Sequence, residues 1–245
     1  MRITFLLAAA AMSLAGCGGG SGDTAGGNAA TPVAGTPAPA GKNWAETVVK
    51  TPEGGYLMGN ADAPIKLVEY GSRTCPTCGA FGREGMPKLV EQYVSTGKVS
   101  FEYRDFMVHG APDLAAGLLG GCAGAEPFFP ILEQMFQNQE AYLQKQMAAT
   151  PAFQASLQGK APGQIATAWA EQLGLIDFVK QRGVPEAQAR ACLADTAAID
   201  ALVKITDEGA ASGKVTGTPS FLINGERAEA TGWSQLEPLL KAAGA

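Results

Sequence analysis

The chain has 245 residues and a formal net charge of −5, its 18 Lys and Arg interspersed among 23 Asp and Glu without a basic cluster. That balance excludes an electrostatic footprint for nucleic acid or an anionic membrane surface. A single histidine excludes His-based triads and multi-histidine metal sites, and 46% apolar residues suffice for one domain with a substantial core.

Met1 and Arg2 lead into an apolar stretch, Ile3 to Ala15, with the positive start and small-residue end of a secretory signal and too short to span a bilayer. It ends in Leu14-Ala15-Gly16-Cys17, which resembles the bacterial lipobox, whose cysteine is diacylated and becomes the mature N-terminus. Residues 1–16 are therefore expected to be a lipoprotein signal peptide and Cys17 the lipidation site. Residues 17–43 turn to Gly, Ala, Thr, Pro and Ser with almost no charge, a composition that cannot repay its ordering entropy and reads as a flexible tether. No later segment is apolar enough to cross a membrane.

From Trp44 onward one globular unit is expected. Ile65 to Tyr70 is a nearly continuous apolar run, suited to a strand covered on both faces. The next segment, Gly79 to Thr96, reads as a helix that begins at a cysteine pair. Val99, Phe101 and Tyr103 then alternate with Ser100, Glu102 and Arg104, the period of a strand. Asp113 to Ser212 is predominantly helical, broken at Pro127, Pro130, Pro151, Pro162 and Pro185, with Asp195 as the N-cap of its last helix. Ser220 to Ile223 reads as a strand, Asn224-Gly225 as a hairpin turn and Ser234 to Ala243 as a closing helix. Ser234 and Glu237 have capping-box spacing there, and Pro238 is assigned to the first turn. This order is that of an α/β, thioredoxin-like scaffold, with residues 44–112 its first part, 113–212 a helical insertion and 213–245 its second part.

The chemistry concentrates in Cys75-Pro76-Thr77-Cys78, between the first strand and its helix. Thiols separated by two residues can close a disulfide on one helical turn and exchange it with another protein through a mixed disulfide. Cys75, at the helix N-terminus, meets unpaired amides and the positive end of the dipole, which favour its thiolate and mark it as the exposed nucleophile. Cys78, one turn further in, is shielded and resolves the mixed disulfide. Pro76 suits the first turn because it has no N–H to leave unpaired. Cys122 and Cys192 then remain as an even pair in helix-like segments, expected to form a second, structural disulfide worth about 4 kcal/mol by the chain-entropy estimate. Two buried free thiols remain the alternative. Glu69 interrupts an apolar strand, an expensive place for a carboxylate without a partner or a task.

The run Glu69-Tyr70-Gly71-Ser72-Arg73-Thr74-Cys75-Pro76-Thr77-Cys78, the helical Ala115 to Ala123 around Cys122, and Thr216-Gly217-Thr218-Pro219-Ser220-Phe221 before Asn224-Gly225 together resemble the DsbA/DsbG group of exported thiol-disulfide oxidoreductases. The likeness runs through most of the chain after Trp44. It implies that Pro219 forms a cis-proline loop against the cysteines, that Thr218 offers its main chain to an extended client peptide, and that Glu69 is a buried acid accepting a proton from Cys78. Thr77 departs from the histidine common in strongly oxidising members, which implies a milder oxidant. The resemblance further implies no cofactor and no metal, exported cysteine-containing proteins as clients, a membrane partner that recycles the site, and a location on the periplasmic side of a bacterial membrane.

Reductase or isomerase activity on the same fold remains open, as do a non-catalytic lipoprotein with a static Cys75–Cys78 disulfide and copper(I) or zinc carriage by the two thiols. His109 is expected at the surface, and Trp44, Trp169, Trp233, Phe128 and Phe129 in the core. Arg73 is expected either to aid the thiolate or to be solvated.

Overall fold

The computed structural model describes residues 31–245. The signal segment and Cys17 lie outside them. The first strand pair, β1 (Val48–Lys50) and β2 (Tyr56–Met58), precedes β3 (Ile65–Gly71). A helix α1 (Pro76–Glu84) continues through α2 (Met86–Leu89) and a wide helical turn to Val94 before β4 (Val99–Asp105). Eight helices follow: α3 (Ala111–Gly121), α4 (Phe128–Gln137), α5 (Gln139–Met147), α6 (Pro151–Ser156), α7 (Pro162–Leu173), α8 (Leu175–Lys180), α9 (Glu186–Ala194) and α10 (Thr196–Ala211). The hairpin β5 (Ser220–Ile223) and β6 (Glu226–Ala228) leads into α11 (Trp233–Ala242).

The sheet order is β1-β2-β4-β3-β5-β6. β3 and β4 run parallel from Ile65 opposite Val99 to Gly71 opposite Asp105, and α1 and α2 make the crossover that parallel neighbours require. β5 lies antiparallel on the other side of β3, with Ser220 opposite Tyr70. This register brings the residues before β5 to the end of β3 where the cysteines begin. Asn224 (φ 52°) and Gly225 (φ 82°) turn the final hairpin, a pair suited to left-handed backbone.

Two apolar cores result. One lies under the sheet, where Phe81 of α1 meets Phe101 and Phe221 edge-on, at centroid separations of 6.5 and 4.7 Å. The other lies among the helices between β4 and β5, around Leu119, Ile131, Met135, Leu173, Val179 and Leu193. Burying each such side chain contributes about 1.5–3 kcal/mol. Asp195 caps α10 as expected, accepting from Ala197 N at 2.9 Å and Ala198 N at 3.2 Å.

Several local expectations are corrected. β1 and β2 carry only three residues each, too few to show a period. α1 begins at Pro76, not Gly79. Ser234 and Glu237 form no capping box: the closing helix starts at Trp233 behind Gly232, and Gln235 Oε1 reaches back to Thr231 N at 2.8 Å. Glu237 instead accepts from the Tyr93 hydroxyl at 3.0 Å and pairs with Lys241 at 2.8 Å. Pro238 stands inside α11, beyond its first turn. The described end of the expected tether is held against the domain. Val33 N donates to Gly244 O at 2.8 Å, and Trp44 Nε1 donates to Thr36 O at 2.6 Å.

Candidate active site

β3 delivers the chain to a short loop, Ser72-Arg73-Thr74, that ends on Cys75. Cys75 is the N-cap residue of α1, extended at φ −84°, ψ 119°, and Pro76 occupies the first turn. Both thiols are free in this structure. Cys78 is fully buried, and its Sγ accepts from Ser72 N at 3.4 Å. Cys75 is only 7% exposed, less open than a freely exposed nucleophile, because the Thr218–Pro219 loop covers it. Its Sγ lies 3.4 Å from Thr218 O, and the Thr218–Pro219 peptide bond is cis. Pro76 and Thr77 are exposed beside it, so this face is open to a partner.

The two thiols are pushed apart electrostatically. A hydrogen bond from Cys78, with others from the Thr218 side chain and the Cys78 and Thr77 amides, outweighs burial and lowers the Cys75 pKa to about 5. Burial, the hydrogen bond to Cys75 and the neighbouring Glu69 push the Cys78 thiol well above its ordinary value. A thiolate at the helix start beside a protonated thiol one turn inward is therefore the favoured reduced state.

Glu69 lies behind this pair on β3, 1% exposed, and its Oε1 has no hydrogen-bond partner among the described residues. Burial, then the charges of Cys75 and Asp105, push its carboxyl well above the ordinary range.

The loop that ends on Cys75 is clamped from the helices between β4 and β5, chiefly by Asp113 and Gln139, which no sequence motif marked. Asp113 on α3 is buried. Its Oδ1 accepts from the Ser72 and Thr74 hydroxyls at 2.7 and 2.6 Å, and its Oδ2 from His109 N at 2.7 Å. With the Thr74 proton given to Asp113, His109 Nδ1, 2.7 Å from Thr74 Oγ1, is the donor of that pair. His109 is thus not merely a surface residue, although its side chain is 42% exposed. Gln139 at the start of α5 donates to Arg73 O at 3.1 Å and Cys75 O at 2.8 Å.

Arg73 neither touches the thiolate nor meets solvent. Its side chain is fully buried, paired with Asp105 through contacts of 2.8 and 3.1 Å, and its guanidinium lies 4.9 Å from the Phe128 ring centroid. Gly120 makes room for it: a Cβ there would overlap the guanidinium. The far end of α3 is fixed as well, because Cys122 and Cys192 are joined as a disulfide with Cα atoms 5.9 Å apart, tying α3 to α9.

Among the described residues no three His, Cys, Asp or Glu side chains gather as a metal site, and no helix is long and apolar enough to cross a membrane.

Comparison with known proteins agrees with this architecture. A family model described as thioredoxin matches residues 51–242. The solved protein-disulfide isomerase from Novosphingobium aromaticivorans superposes with a TM-score of 0.72 at 30% identity, covering 76% of this chain and 95% of that one. The Wolbachia pipientis alpha-DsbA1 structure shares the fold at a TM-score of 0.60 and 20% identity, covering 76% of this chain and 88% of that one. A Rickettsia bellii relative, provisionally named a protein-disulfide oxidoreductase, is 28% identical over 180 residues, which are 74% of this chain. The chain spans 61% of that relative's length. With four fifths of its sequence under one family model and a 30%-identical structure covered almost end to end, the chain belongs to the thioredoxin family.

Proposed function

We propose that the protein is an exported, lipid-anchored thiol-disulfide oxidoreductase acting as a disulfide donor to cysteines of cell-envelope proteins. The observation that carries this reading is the split between Cys75, whose pKa is lowered to about 5, and the fully buried Cys78 one turn behind it. A stabilised Cys75 thiolate is a good leaving group and favours the reduced enzyme, which makes the disulfide form an oxidant. Thr77 supplies no imidazole to that thiolate, so the oxidant is a mild one.

In the donor direction a client thiolate attacks Cys75 Sγ. The Cys75–Cys78 bond breaks, and Cys78 leaves with the electron pair and takes a proton from Glu69. A second client thiolate attacks the client sulfur of the mixed disulfide, expelling Cys75 as thiolate, so the client loses two electrons and the pair gains them. Thr218 presents its main chain to the client beside Cys75, and Pro219 shapes that loop. A membrane partner reoxidises the pair. The Cys122–Cys192 disulfide is structural, and residues 113–212 form a helical insertion between the two parts of the scaffold, 44–112 and 213–245. Residues 1–16 are a lipoprotein signal peptide, Cys17 carries the lipid on the periplasmic side of a bacterial membrane, and the segment to residue 43 spaces the domain from it. The reaction needs no cofactor and no metal.

Oxidative refolding of a reduced, denatured disulfide protein tests the reading. Catalytic acceleration by the preoxidised chain, abolished in Cys75→Ser, is the expected result. Acceleration only from scrambled, already oxidised client would instead mark an isomerase, and no acceleration of either would leave a binding protein.

A further inference from the structure

Glu69 Oε1 and the Tyr103 hydroxyl are both buried and both without a hydrogen-bond partner among the described residues. Buried polar atoms are nearly always paired, so two in one place call for an explanation. The residues are 1% and 0% exposed and stand opposite each other in the parallel register of β3 and β4. Both reach over the same glycine: a Cβ built on Gly71 would lie 2.9 Å from Glu69 Oε1 and 2.8 Å from the Tyr103 oxygen. The two oxygens thus converge on position 71, where the Tyr103 ring, 2.5 Å from such a Cβ at Cε2, packs so close that only glycine fits beneath them. Tyr103 also lines a cavity of about 210 Å³ with Tyr56, Asp105 and Lys50, and Lys50 is exposed at its rim.

We infer that one water molecule bridges Glu69 and Tyr103 above Gly71, and that the Tyr103 hydroxyl relays the Glu69 proton between this water and the cavity. The inference rests on the reading of Glu69 as the proton partner of Cys78. When the pair is reoxidised, Cys78 gives its thiol proton to Glu69 and attacks Cys75, and the partner's sulfur leaves as thiolate. Glu69, now protonated, passes its proton to the water. The water passes a proton to the Tyr103 oxygen while the hydroxyl releases its own into the cavity, so each relay member ends as it began. In the donor direction the same route runs backwards and returns a proton to Glu69. The groups facing this route are Cys75 at the N-cap of α1, Cys78 within it, Asp105 from β4 and Arg73 from the loop. Arg73 and Asp105 neutralise each other as an ion pair, which leaves Tyr103 as the polar group suited to serve Glu69.

Tyr103 acts through Glu69, so its test must read the Cys78 step alone. In the full chain carrying a Cys75–glutathione mixed disulfide, release of glutathione by Cys78 is followed against pH in wild type, Tyr103→Phe and Glu69→Gln. Tyr103→Phe is expected to slow release about tenfold and to flatten its pH profile, while attack of Cys75 on external glutathione disulfide keeps its rate. Wild-type release and profile in Tyr103→Phe, with Glu69→Gln slow, overturns the relay and leaves Glu69 as the base. An unchanged profile in Glu69→Gln overturns the Glu69 reading itself. Infrared spectroscopy of the unsubstituted chain, with the Glu69 band assigned by its loss in Glu69→Gln, supplies a readout independent of the folding of Tyr103→Phe. A carboxyl stretch of hydrogen-bonded acid supports the bridge, and that of an isolated acid contradicts it.

Discussion

The Asp113 carboxylate and the Thr74 hydroxyl stand 2.6 Å apart across the seam between α3 and the loop after β3, one residue before Cys75. α3 and α5 are therefore part of the candidate site, since they fix the loop that carries Cys75.

Replacing Asp113 with Ala strands the Ser72 and Thr74 hydroxyls and the His109 amide in a buried place. A loss of about 2–4 kcal/mol in denaturant unfolding is expected, together with slower thiol exchange at unchanged cysteine content. Wild-type exchange rates in this variant would show that the clamp does not position Cys75.

The reduced protein's stability depends on pH through Cys75. Its folded pKa, about 5, lies below the ordinary thiol value of 9.0. Between those values the unfolded chain binds a proton that the native state has released, so unfolding becomes harder as pH rises through this window and levels off above it. Below about 5 the contribution is lost. The oxidised form has no such thiol, so the stability of reduced over oxidised protein grows from pH 5 to pH 9, which paired thermal melts check. Ultraviolet titration of the thiolate in Cys78→Ala should place its midpoint above that of the native pair, because the Cys78 hydrogen bond is the largest cause of the lowering.

Glu69 carries the opposite sign. Its carboxyl is held well above the ordinary 4.5, so the native state keeps a proton that the unfolded chain gives up, and the residue costs stability as pH rises from the ordinary carboxyl range. Glu69→Gln is expected to be more stable than wild type near neutral pH, by ~1–3 kcal/mol, with the difference shrinking toward acid. A variant that is both slower at the Cys78 step and more stable identifies the carboxylate as functional. Equal stability at every pH contradicts the burial account.

Gly120→Ala drives a methyl into the Arg73 guanidinium, a group that cannot retreat because it is paired with Asp105 and enclosed by Phe128 and Tyr103. A loss of about 1–3 kcal/mol or more is expected, with Gly217→Ala, whose Cβ meets nothing within 4 Å, as the comparison variant.

Local spacing carried the cysteine motif, the parallel strands and the α10 cap, because each is written within a few consecutive residues. The clamp was not legible: Asp113 and Thr74 are 39 positions apart, and Arg73 and Asp105 are 32 apart, separations at which no periodicity reports contact. His109 read as a surface residue, and Arg73 as either an aid to the thiolate or a solvated side chain, because their partners come from other elements. Tyr103 fitted the alternating strand so well that its hydroxyl drew no notice. The capping box at Ser234 failed for the converse reason, since Tyr93 and Lys241 compete for Glu237 in the folded chain.

Whether Cys75 and Cys78 form an oxidising exchange pair is read from the equilibrium reduction potential of that pair against glutathione, with mass spectrometry reporting which cysteines respond. A mild oxidant is expected at about −180 mV, more negative than the about −120 mV of a strong one, with Cys122 and Cys192 unreactive. A value near about −270 mV, or a pair that does not exchange, would contradict it.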